Sequence, residues 1–132
     1  QLNSSLKIIA GGANNQISGG QLAGGAEAVE QKLFDRGIVY APDFAINPGG
    51  VILCYDELEP GGFTQSRVVE RANNVYGTIS RILGDSKKNS EPAGRIAVRL
   101  AKERIAAEGL KLLEIFFGGI GTIRQKRHGM GT

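Results

Sequence analysis

The chain has 132 residues, 41% of them hydrophobic and 22% charged, which suits one folded domain or part of one and excludes a disordered chain. No apolar run approaches the roughly 20 residues that a membrane-crossing helix needs, and Leu6–Ala10 is too short and lacks the basic lead of a secretory signal. The net charge of +3 is uneven: residues 1–66 hold three Lys/Arg against seven Asp/Glu, and residues 67–132 hold thirteen against six.

Acidic residues interleave with the basic ones in the second half, so it reads as solvated helix faces and not as a nucleic-acid surface. The single cysteine, Cys54, excludes an internal disulfide and fits a reducing, cytoplasmic setting. Many of the 20 glycines come in pairs, at 11–12, 19–20, 24–25, 49–50, 61–62 and 118–119, which marks tight turns and close backbone approach.

In chain order, Leu6–Ala10 predicts a short buried strand that stops at glycines. Gly11–Gly25 reads as a loop. Ala26–Arg36 predicts a helix with Val29, Leu33 and Phe34 on one face, closed by Gly37. Ile38–Tyr40 predicts a second strand, ended by Pro42. Strand, helix and strand within about 35 residues is the pattern of a crossover between parallel strands.

Asn47 then offers an N-cap and Pro48 a first helical residue, with a helix over 49–59 broken by Gly61 and Gly62. Thr64 caps a longer helix whose apolar positions include Val68, Ala72, Val75, Ile79, Ile82 and Leu83. Asp85–Pro92 reads as a charged connection. The last clear helix covers 93–108 and stops at Gly109. Residues 111–117 fit either a strand or a further helical turn, and 118–132 a tail. This divides the chain into 1–60, 61–110 and 111–132.

Two predicted strands therefore each run into a loop that holds glycine and asparagine: Gly11-Gly12-Ala13-Asn14-Asn15-Gln16, and Pro42-Asp43 followed by Asn47-Pro48-Gly49-Gly50. In an open parallel sheet, ligands bind beyond the carboxyl ends of the strands. An asparagine amide supplies two donors and an acceptor, which suits a carboxamide, ribose hydroxyls or a carboxylate. The alternative is that these side chains only satisfy turns and a helix cap. Asn47 fits a cap at least as well as a ligand contact, while Asn15, behind two glycines, leans towards a ligand. Asp43 reads as a structural acceptor in its loop.

Lys7–Gln16, Arg36–Ile52, Asp56-Glu57-Leu58 and, later, Lys102-Glu103-Arg104-Ile105 occur in the order found in the leucine/phenylalanine/valine dehydrogenases, and the chain resembles the C-terminal portion of that amino-acid dehydrogenase family over about residues 6–108. The resemblance implies an α/β fold: the C-terminal part of a Rossmann-type parallel-sheet domain (1–60), then C-terminal helices packing back on it (61–110). It implies NAD or NADP as cofactor and oxidative deamination of an apolar L-amino acid to a 2-oxo acid and ammonia. It places Ala13, Asn15 and Asn47 at the cofactor, and Asn15, Val51 and Cys54 at the substrate. Val51 and Cys54 are three residues apart and so can share a helix face. Homo-oligomers are implied as well.

The departures are equally specific. The family's Gly-x-Gly-x-x-Gly phosphate loop is absent. Gly119-Ile120-Gly121 is a near miss that puts Arg124 where the third glycine belongs, and it reads as coincidence. The family's catalytic lysines and aspartate have no counterpart, so no catalytic residue is assigned in this chain. Cys54 lacks a partner base for nucleophilic work, and His128, the one histidine, has too few companions for a metal site. Two expectations follow. The chain is part of a dehydrogenase whose missing N-terminal segments complete catalysis, or it is a non-catalytic remnant that assembles with another chain.

Overall fold

A computed structural model describes residues 5–17 and 24–126, the stretch 110–126 by its backbone alone. The chain forms two compact units, 1–97 and 98–132. In the first unit, β1 (Ile8–Ile9) and β2 (Val39–Tyr40) lie parallel, with Ile8 opposite Val39 and Ile9 opposite Tyr40. Helix α1 (Gly25–Asp35) connects them, so the crossover read from the sequence is present.

The end of α1 follows from its sequence. Gly37 takes φ +69°, a conformation that L side chains rarely adopt. It donates to the Phe34 carbonyl at 2.9 Å, and Ile38 donates to that of Leu33 at 2.9 Å. This is the Schellman arrangement, and it brings Ile38 back onto Leu33. Both side chains are buried in one cluster with Tyr40, against which Leu6, Ile9 and Ile17 pack. Fully burying a Leu or Ile contributes about 1.5–3 kcal/mol, so this cluster fixes α1 on one face of the strand pair. On the other face the paired Ile8 and Val39 remain 63% and 43% exposed.

Three helices follow. A short α2 (Asp43–Ile46) is not legible in the sequence, because four residues show no period. Helix α3 (Gly49–Glu57) has Pro48, not Asn47, at its N-cap position, so the expected Asn47 cap is not formed. Helix α4 (Gln65–Asn89) runs through the segment expected as a connection. Lys87 and Lys88 sit in its last turn, where positive charge favours the helix terminus. The real connection is shorter: Ser90 turns left-handed at φ +53°, and Pro92 follows.

Helix α5 (Ala93–Lys126) begins in the first unit and supplies the described part of the second. It does not stop at Gly109. An interior glycine costs only about 1 kcal/mol relative to alanine, and the neighbouring Leu110, Lys111 and Leu112 are strong helix formers. Residues 119–121 therefore lie within a helix and not in a strand-to-helix phosphate loop. His128 lies outside the described residues. Among the described residues no helix is long and apolar enough to cross a membrane.

Candidate functional site

Both strands lead into the loops that the sequence singles out, and two side chains, Asp43 and Asn47, tie those loops together. Asp43 is buried, 8% exposed, although carboxylates favour water. Its Oδ2 accepts the Gln16 backbone N–H at 2.8 Å, and its Oδ1 accepts that of Phe44 at 2.7 Å. The Tyr40 hydroxyl accepts the Asp43 N–H at 3.2 Å, and burial pushes the phenol's pKa up, so it stays protonated. The structural-acceptor reading of Asp43 thus holds.

Gln16 folds back over its own loop, donating from Nε2 to the carbonyls of Gly11 at 2.8 Å and Ala13 at 2.9 Å. Asn47 makes the second cross-link. Its Nδ2 donates to the Gly12 carbonyl, and to Asn14 Oδ1 at 3.3 Å. The side chain that the sequence offered as a helix cap instead draws the two loops together through its Nδ2. Sequence order gives no hint of this contact, since its partners are 35 and 33 residues away.

Asn15 follows Asn14 directly. It is exposed and held at φ +54°, a conformation in which asparagine is several-fold enriched. No hydrogen bond joins its side chain to another described residue. Next to it, Gly12 is open: a Cβ there would meet nothing within 4 Å. Ala13 is exposed between them. The arrangement offers a free amide, an unobstructed backbone and a braced second amide on adjoining loops. Such a surface can accept a flat polar ring and its sugar hydroxyls.

Val51 and Cys54 lie on the exposed surface of α3, Val51 at 73% exposure. Their helix is anchored by a group the sequence reading missed. Asp56 is fully buried. It accepts the Thr64 N–H at 2.7 Å, two bonds from Arg67, and one from Arg71 at 3.2 Å. Arg71 also reaches Glu59 at 2.7 Å and lies 4.9 Å over the Tyr55 ring. The hydrogen bonds from Arg67 outweigh desolvation and hold the Asp56 carboxyl below its usual pKa. The available signal was the spacing of Arg67 and Arg71, one turn apart on α4, behind an acidic Asp-Glu pair.

A cavity of about 510 Å³ lies elsewhere, lined by residues such as Phe34, Ile38, Leu83 and Ala93. Its lining includes none of Ala13, Asn15, Asn47, Val51 and Cys54. Among the described residues no cluster of His, Cys, Asp and Glu could hold a metal ion.

No family model matches the chain. Curated relatives do. The chain is 41% identical over 99 residues to a leucine dehydrogenase of Bacillus subtilis, covering 75% of this chain and 25% of that protein. It is 39% identical over 100 residues to a valine dehydrogenase of Streptomyces coelicolor, and 36% identical over 100 residues to an L-tryptophan dehydrogenase of Nostoc punctiforme. The chain spans about a quarter of the length of these relatives.

Proposed function

We propose, from the membership of this chain in the amino-acid dehydrogenase family over the matched 75% of its length, that it supplies the cofactor- and side-chain-facing portion of an NAD(P)-dependent L-amino-acid dehydrogenase. The reaction is oxidative deamination of an apolar amino acid to its 2-oxo acid. The observation behind this reading is the bridge from Asn47 to Gly12 and Asn14, which makes one surface of two strand-tip loops.

The residues fit a nicotinamide nucleotide. Its carboxamide and ribose need paired donors and acceptors, and the Asn15 amide is exposed for that purpose. Asn47, already committed through Nδ2, retains its carbonyl for a ligand N–H. Gly12 leaves room for the backbone to approach. When bound, the nicotinamide accepts the hydride released from the substrate α-carbon. The chain's own part is to bind and orient: Asn15 and Asn47 fix the plane of the ring, and Asp43 and Gln16 keep their loops from drifting.

Val51 and Cys54 meet the substrate side chain. Two modest apolar groups there accept an aliphatic or aromatic residue, with discrimination of about 1–3 kcal/mol per methylene. The phosphate loop and the base that takes the substrate's proton come from the remainder of the protein. The exposed Ile8–Val39 face supports that division, because parallel sheets are normally covered on both sides. On the same reading the strand pair is part of a Rossmann-type sheet, and the enzyme is a cytoplasmic homo-oligomer.

The test is to assay the complete gene product for NADH or NADPH formation with leucine, valine and phenylalanine. Turnover of at least one is expected. No turnover of any apolar amino acid with either cofactor overturns the reading.

A further inference from the structure

We infer that Asp56 is a positioning residue for substrate selectivity, setting the angular orientation of α3 and with it the direction in which Val51 and Cys54 face. The inference rests on the proposed dehydrogenase reading for its substrate, and on the structure for its geometry.

A surface helix of nine residues has little to stop it rolling about its axis unless one face is held. The apolar side chains of α3 hold it only weakly: Val51, Leu53 and Tyr55 are 73%, 42% and 56% exposed, and Ile52, one turn before Asp56 on the same face, is half-buried. Asp56 holds it. It is fully buried, and four donor groups converge on it: the Thr64 N–H, both nitrogens that Arg67 presents, and Arg71. Three of the four are charged, and charge-assisted bonds are roughly twice as strong as neutral ones. The carboxylate also sits at the start of α4, where the helix dipole favours an anion. Arg67 is itself tied to the Gly62 carbonyl at 2.6 Å, and Arg71 to Glu59 at 2.7 Å, so each donor side chain has a second anchor.

Successive residues of an α-helix turn by about 100°. Cys54 is therefore about 160° from Asp56 around α3, and Val51 about 140° from it on the other side of the opposite pole. The two are only about 60° apart. Clamping Asp56 against α4 thus presents the pair away from α4. A different roll would carry one of them out of any pocket that the two share. A helix held by a spread of apolar contacts would tolerate such a roll, whereas one indexed by a single buried carboxylate would not.

The experiment uses the complete gene product with Asp56→Asn, which keeps the side chain's shape and removes its charge, and Asp56→Glu as a conservative companion. Two readouts are compared with the wild type: kcat and KM for leucine, valine and phenylalanine, and hydrogen exchange of the α3 segment 49–57 against α1. A merely structural role would lower kcat/KM by one common factor. The positioning role changes the ratio of kcat/KM between substrates by at least about five-fold, mainly through KM, with α3 amides exchanging at least about ten times faster while α1 is unchanged. Asp56→Glu, if it folds, restores part of the ratio. An unchanged ratio overturns the inference and leaves the dehydrogenase reading standing. A wild type without turnover refutes that reading instead, and the exchange of α3 then decides the clamp: unaltered α3 protection in Asp56→Asn overturns it.

Discussion

Glu30, on α1, accepts a hydrogen bond from the backbone N–H of Gly94, 64 residues further along and in the first turn of α5. The approach is so close that a Cβ on Gly94 would stand 2.5 Å and 2.6 Å from the two Glu30 carboxylate oxygens. Glycine at 94 therefore leaves room for this tertiary contact, and a Cβ there would displace the end of the Glu30 side chain. Gly94→Ala should displace the carboxylate and break its bond to the Gly94 N–H, with a loss of about 0.5–1.5 kcal/mol, the net worth of one hydrogen bond. Denaturant unfolding of the two proteins checks this.

The same carboxyl gives stability a pH dependence. Burial raises the Glu30 pKa above 4.5, against the smaller opposing effects of Gly94 and Arg95. The folded protein therefore holds the proton more tightly than the unfolded chain does. Stability contributed by this group is complete below pH 4.5 and is lost as pH rises through the folded value. Relative to Glu30→Gln, the wild type should lose stability as pH rises above about 4.5. Denaturant midpoints between pH 4 and 7.5 measure the difference.

Asp56 behaves in the opposite sense. Its pKa is lowered from 3.8, first by the Arg67 hydrogen bonds. Its contribution is present above pH 3.8 and disappears as pH falls through the depressed folded value. The advantage of the wild type over Asp56→Asn should hold at neutral pH and shrink in strong acid. Thermal unfolding of both proteins at pH 7 and below pH 3.8 tests it.

What the sequence made legible was what short-range chemistry controls. Gly37 announced the end of α1 because only a left-handed residue closes a helix in that way, and the apolar runs around Ile9 and Tyr40 marked strands that do pair in parallel. The loops bearing Asn15 and Asn47 were visible too, as asparagines among glycines. Asn47 was ambiguous because its amide can cap through its oxygen or bridge through its nitrogen, and only the fold brings Gly12 and Asn14 within reach of the latter. The extension of α4 past Asp85 was hidden because charged residues suit a helix end as well as a loop. Asp56 was hidden because a buried carboxylate looks like any surface acid until its arginines are in place.

Gly12 separates stability from binding. A Cβ there meets nothing and its φ lies outside the left-handed range, so Gly12→Ala should leave stability within about 0.5 kcal/mol of the wild type. If the backbone approaches the cofactor at this point, the same variant should weaken NAD binding in the complete gene product. Unfolding and cofactor titration on one preparation read both effects.

We propose that the two strand-tip loops form a single cofactor surface. Titration of NAD into the complete gene product carrying Asn15→Ala, Asn47→Ala or both tests it most directly. Each single substitution should weaken Kd by about ten-fold, or about 1.4 kcal/mol. The pair should lose less than the sum, because both amides serve one bound ring. Wild-type NAD affinity in both single variants would contradict the account.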